Sequence, residues 1–176
     1  MRVSELPSTE YAEFYAGYVK LIPDLTLRSA LDESAAALLD VITHVPENKF
    51  DYAYAPGKWT VKQTLQHILD TERIFIVRAL RIARGDKSAL PGFDHEAFAN
   101  VMDVSQRDFK PMIEEFRHVR QSALMMFKNF TEADMLRIGT VSGGPASTRA
   151  VGFIIAGHTF HHARHYREVF GLGQAG

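Results

Sequence analysis

The 176-residue chain contains no cysteine. That excludes a disulfide framework, thiolate zinc sites, iron–sulfur clusters and a cysteine nucleophile. An excess of charge of either sign is also missing, since 20 Lys and Arg stand against 21 Asp and Glu. With no basic stripe besides, nothing pulls the chain toward nucleic acid. No window approaches the roughly eighteen apolar residues of a membrane span. The nearest, Val151 to Phe160, is short and broken by Gly152, Gly157 and His158, so no membrane partner is expected. The opening MRVSELPSTEYAEF lacks the uninterrupted apolar stretch of a signal peptide, and the expected location is cytoplasmic. Sustained period-two alternation is absent, as are internal repeats and low-complexity tracts.

What is present reads as helix. A chain with 46 % hydrophobic and 23 % charged residues is an ordinary globular one, and its length suits a single domain over residues 1–176. Four long segments carry helical periodicity. The first runs from about Leu25 to His44, with Leu31, Ala35, Leu38 and Ile42 on one face, and stops before Pro46. The second spans Val61 to Arg84, with Thr60 as N-cap and Gly85 just past its end. The third covers roughly Gln106 to Asn129. There Ser105 and Asp108 suggest a capping box, while Pro111 moves the regular start toward Asp108. The fourth runs from a Ser147 or Thr148 cap to about Phe170, before a Gly-rich tail. A shorter helix near Ser8 to Lys20 is expected to pack across the outside. The pattern predicts an all-α fold, a four-helix bundle with a short additional N-terminal helix.

With no sulfur available, the eight histidines are the first place to look for chemistry. Four of them, His158, His161, His162 and His165, fall in GHTFHHARH. On a helix they occupy an arc of about 100°, on the side of Val151, Ile154, Ile155 and Val169. His158/His162 and His161/His165 are both i,i+4 pairs, and periodicity does not choose between them. A lone histidine on an apolar face is commonly a hydrogen-bonded core residue, so a metal site needs a third ligand from elsewhere. His67, in the middle of the second helix, is the candidate. One imidazole from one helix and a pair from another would leave coordination positions open, as catalytic sites do.

Three stretches carry a resemblance that covers nearly the whole chain: PGKWTVKQTLQHILDTERIFIVRALRIARGD (Pro56 to Asp86), LPGFDHEAF (Leu90 to Phe98) and IIAGHTFHHARHYREVF (Ile154 to Phe170). Their order and spacing resemble the DinB/YfiT-like family, metal-binding four-helix bundles with a three-histidine site. The resemblance places the metal ligands on His67, His158 and His162. His161 then belongs to the family's GHxxHH pattern as a ligand's neighbour. His165 departs from that pattern, since an aliphatic residue is usual there; its options are orienting a ligand, serving as a fourth ligand, or lying at the surface. Asp70 and Glu72 sit in the family's HxxDxE segment. Asp70, one turn from His67, is expected either to orient a ligand ring through its N–H, or to pair with an arginine or face solvent. Arg78, on the His67 side of its helix, is the best candidate for a substrate-facing cation. Trp59 is expected to pack at the start of the second helix. His44, His95 and His118 read as a helix end, a loop and an outer face.

The resemblance implies a metal-dependent enzyme, a thiol S-transferase or a hydrolase, in which the ion activates a thiolate or water. Without cysteine, a thiol would have to come from a low-molecular-weight cosubstrate. Asp70, Glu72 and His165 are the candidate general bases, and no catalytic residue is assigned. Imidazole suits zinc, nickel, iron and copper; zinc or nickel leads and iron follows. The alternative is a non-catalytic metal- or ligand-binding bundle associated with stress. A small-molecule substrate is expected as partner. A homodimer is expected too, through the aromatic N-terminal segment or the Met125/Met126 neighbourhood.

Overall fold

Residues 1–172 are described by a computed structural model; residues 173–176 of the Gly-rich tail lie outside the described residues. The N-terminal segment does not form the continuous helix expected near Ser8 to Lys20. It makes three single 3₁₀ turns, Val3–Glu5, Ser8–Glu10 and Glu13–Tyr15, and one α turn, α1 (Ala16–Val19). Its residues pack individually instead. Tyr15 and Val19 enter the core, and Glu10 holds Arg149 through an Nε–Oε2 hydrogen bond of 2.7 Å.

The long helices are α2 (Leu27–Ile42), α3 (Val61–Ala83), α5 (Phe109–Lys128) and α7 (Thr148–Glu168), with short helices α4 (His95–Val101) and α6 (Glu132–Leu136) between them. Caps set their boundaries. Thr26 Oγ1 accepts from Ser29 N, and Thr60 forms a reciprocal box with Gln63. Ser147 Oγ accepts from Ala150 N at 3.0 Å. The box expected between Ser105 and Asp108 does not form, because the Ser105 N–H turns back to Asp103 Oδ1. Asp108 is nonetheless the N-cap position of α5, leaving Pro111 in the first turn, where a missing N–H costs nothing.

A small antiparallel hairpin, β1 (Ile138–Val141) with β2 (Gly144–Ser147), was not expected from the sequence. Of the four β1 residues only Val141 is buried, so no alternation advertised a strand. Its turn, Ser142–Gly143, has φ of 51° and 82°, the doubly left-handed geometry that matches strand twist in a two-residue loop. The hairpin organises the mouth of the bundle. Leu90 donates to Thr140 O and accepts from Ser142 N, both at 2.9 Å, while Tyr11 bridges Ala146.

Two apolar clusters fill the bundle, one around Leu31, Phe75, Phe127 and Phe153, the other around Leu38, Leu65, Phe116 and Tyr166. Each long helix contributes to both, and each carries polar residues where it passes between them. These are Ser34 on α2, His67 and Glu72 on α3, Arg120 on α5, and His158, Thr159 and His162 on α7. A polar layer therefore crosses the core, and it contains the histidines.

Candidate metal centre

The floor of the polar layer is an ion pair. Arg120 and Glu72 are each 2 % exposed. Arg120 Nε and Nη2 donate to the two carboxylate oxygens of Glu72 at 2.7 and 2.9 Å. Nη1 donates to Leu31 O at 2.5 Å and Ser34 Oγ at 2.9 Å, and Nη2 also reaches Thr159 Oγ1 at 2.7 Å. All five guanidinium donors are used, and all four long helices are joined. Glu72 is thus committed to holding the bundle, so it is no general base.

Above this pair His67, on α3, meets His158 and His162, one turn apart on α7. His158 Nε2 lies 3.1 Å from both His67 Nε2 and His162 Nε2, and a ligating nitrogen of each lies within 4.8 Å of the others. Imidazole nitrogens bound about 2.0–2.1 Å from one ion sit roughly 3 Å apart, the spacing of His158 Nε2 to each of the other two, so this donor set fits a shared metal. The protons also favour that reading. Nε2 atoms facing one another at 3.1 Å cannot all carry protons, which leaves lone pairs turned toward one another. Burial is the main cause that pushes His158 and His162 well below the ordinary histidine range, followed by their neighbouring histidines; His67 falls to about 4 for the same first reason. Neutral imidazole is the metal-binding form.

The second shared pair of the sequence, His161/His165, does not join the group. His161 packs edge-on against Tyr18 and His162, with ring centres 5.6 and 5.0 Å apart. His165 lies 6.3 Å from the His162 ring and packs against Tyr54 and Phe170. Burial lowers the pKa of both. Asp70 does not orient His67. It accepts from Gln66 Nε2 at 2.8 Å and lies 3.9 Å from Arg73, while the group beside His67 Nδ1 is Thr71 Oγ1 at 3.5 Å. Arg78 is drawn into the core and is only 4 % exposed. His44 and His118 are exposed, as expected.

Three contributors were missed. His95 is not in a loop but opens α4, its ring 6.2 Å from those of His67 and Trp59. The signal was Asp94, whose carboxylate caps Glu96 and Ala97. Trp59 does stand at the start of α3, yet it also leans over His67 with ring centres 4.8 Å apart. Tyr18 meets His158 edge-on at 5.4 Å. Its approach depends on Gly157, where a Cβ would overlap the Tyr18 carbonyl.

Cavities lie on two sides of the histidines. A larger one of about 410 Å³ opens on His67 and His158, walled by Tyr15, Tyr18, Phe75 and Phe93, with His95 at its edge. A smaller one of about 210 Å³ opens on His162 between Trp59, Tyr54 and His165. No described helix is long and apolar enough to cross a membrane.

The chain is similar to curated proteins of the same overall length. One is the "Putative metal-dependent hydrolase" of Geobacillus thermodenitrificans, 25 % identical over 146 residues, covering 82 % of this chain and 80 % of that protein. Another is the "Putative metal-dependent hydrolase YfiT" of Bacillus subtilis, 25 % identical over 149 residues and 79 % of each chain. The solved structure of Bacillus subtilis YfiT, described as having an unusual four-helix bundle topology, superposes with a TM-score of 0.73. It covers 93 % of this chain and 90 % of the other, at 17 % identity. The model of the DinB superfamily matches residues 30–169, a span holding all three convergent histidines; the chain belongs to the DinB superfamily.

Proposed function

We propose that His67, His158 and His162 hold a divalent transition-metal ion, zinc or nickel before iron, and that the protein is a metal-dependent hydrolase acting on a small molecule. The convergence of three histidines between two cavities, His67 and His158 on the larger and His162 on the smaller, carries this reading, and the names of its relatives agree with it. A bound ion would supply Lewis acidity, lowering the pKa of a water or holding a thiolate. The protein's own residues do the rest. Arg120, bonded to Glu72 on α3 and Thr159 on α7, ties together the two helices that bear the ligands, and Trp59 and Tyr18 restrict the ring positions of His67 and His158. The larger cavity is walled largely by aromatic rings, an apolar setting in which polar contacts are stronger than in water.

The second cavity supports a second reading, group transfer to a thiol. Two separate spaces meeting at the histidines can seat two small molecules, and a chain without cysteine would take its sulfur from one of them.

Metal analysis of untagged protein tests the site. One ion per chain is expected, lost in His67→Ala and in His158→Ala and retained in His95→Ala, which lies outside the convergent group. Unchanged stoichiometry in both of the first two variants refutes the centre. Turnover of ester and amide panels by metal-replete protein supports hydrolysis; product formation only with an added thiol supports transfer. Inertness in both screens leaves a non-catalytic metal-binding bundle and overturns the enzymatic reading.

A further inference from the structure

Three turns along α3 from His67, the same face of the helix carries Thr71, Phe75 and then Arg78, about 16 Å further along the axis. Arg78 is a buried cation without an anion. Among the described residues no carboxylate pairs with it. Nη2 donates to Pro91 O at 2.7 Å and Ser142 Oγ at 3.4 Å, and Nη1 is buried with no partner. The guanidinium lies over the rings of Phe75 and Phe93, at 5.3 and 5.5 Å. Desolvating a charge is costly unless an opposite charge offsets it. The other buried arginine, Arg120, has Glu72, and the half-buried Arg149 has Glu10.

Arg78 lies behind the wall of the larger cavity, and what it presents there is hydroxyl. Ser142 and Tyr15 line that cavity, and their oxygens are 3.5 Å apart. Because Arg78 donates into Ser142 Oγ, the serine's own proton is left to be donated, to Tyr15 Oη or to a ligand in the cavity. The hairpin turn holds Ser142 in place through its positive φ and its N–H to Leu90 O. We propose that this end of the cavity binds the carboxylate of a substrate with an apolar middle, with Ser142 and Tyr15 as donors and Arg78 as the charge behind them. This deepens the metal-dependent reading and rests on it for what happens at the other end of the substrate. A single cation and two hydroxyls suit a monoanion with two acceptor oxygens, whereas a phosphate dianion calls for more positive charge. The groove on the opposite side of Arg78 is a poorer seat. Its other arginines are already engaged, Arg73 by Glu115 and Arg81 by Asp86.

The test uses metal-free full-length protein, so that catalysis plays no part. Binding of 4-phenylbutyrate, its amide and phenyl phosphate is measured by calorimetry at pH 7. The acid is expected to bind at least about tenfold more tightly than the amide, a preference of the size charge-assisted hydrogen bonds give. Ser142→Ala and Tyr15→Phe are expected to reduce that preference, and Arg78→Met to bring it within about twofold. Equal binding of acid and amide, or no binding of either, overturns the subsite. Preference for phenyl phosphate overturns the carboxylate assignment. Loss in Arg78→Met with no change in Ser142→Ala or Tyr15→Phe moves the anion to the groove and overturns it as well. Wild-type protein that discriminates acid from amide yet binds no metal keeps the subsite and refutes only the metal centre.

Discussion

Replacing Arg120 with methionine is expected to cost about 3–5 kcal/mol, the range for breaking one partner of a buried ion pair. The structure says where that cost falls. Of the four residues Arg120 bonds, three keep alternatives. Ser34 Oγ still donates to Leu31 O at 3.2 Å, and Thr159 Oγ1 to Ile155 O at 2.9 Å. The Leu31 carbonyl retains that serine bond. Only Glu72, 2 % exposed, is left as a charge with no counter-ion. The double variant Glu72→Met/Arg120→Met removes that charge and fills the layer with flexible apolar side chains. It is therefore expected to recover at least half of the loss. Urea unfolding of metal-free protein, followed by circular dichroism, reads the difference. With a slope of about 2–3 kcal/mol per molar urea, the single variant's midpoint falls by roughly 1–2.5 M. A single-variant cost below about 1 kcal/mol would show that the pair does not hold the layer. A double variant as unstable as the single one would show that the stranded carboxylate is not the cause.

Two further outcomes follow from the same layer. Gly157→Ala places a methyl group against the Tyr18 carbonyl, so the N-terminal segment must move off α7. Faster proteolysis within residues 1–20 and destabilisation of about 1–3 kcal/mol are expected; wild-type protease resistance would contradict the close approach. The metal-free protein should also lose stability on acidification. His67, His158 and His162 have folded-state pKa values below the unfolded value near 6.5, so between the two the unfolded chain binds more protons. The contribution of His67 is complete above about pH 6.5 and is lost as the pH falls toward 4, and those of His158 and His162 are lost in the same direction on acidification, by up to about 1.4 kcal/mol per histidine per pH unit. A urea midpoint that is flat or rises between pH 7 and 5.5 would refute this.

Much of the scaffold was legible because helix signals are local. Leu31, Ala35, Leu38 and Ile42 recur on one face, and all four are buried. Thr60 and Ser147 cap where a hydroxyl before an apolar run should. The misses arose where local signals were absent or ambiguous. The aromatic N-terminal segment has helical spacing but breaks into 3₁₀ turns, since its side chains are drawn individually to the hairpin and α7. The hairpin is too short and too exposed on β1 to alternate. Residues of the site were legible by type, but their roles were not. Asp70 and Glu72 are two positions apart on one helix, and only Glu72 turns inward, to an arginine 48 residues away.

By itself the sequence determined that the chain is helical, that sulfur chemistry is not its own, and that two imidazole pairs stand at i,i+4 on one helix. Each of these is a property of composition or of residues within a turn or two of one another. Spacing alone left open which pair meets His67, and the resemblance pointed to His158/His162; the contact itself belongs to the tertiary structure, because it joins residues 91 positions apart and depends on how α3 packs on α7. The tertiary structure also decided that Glu72 is buried beside the histidines, that His95 and Trp59 border them, and that among the described residues no carboxylate pairs with Arg78. Burial and charge compensation belong to the packed layers, and no local spacing encodes them.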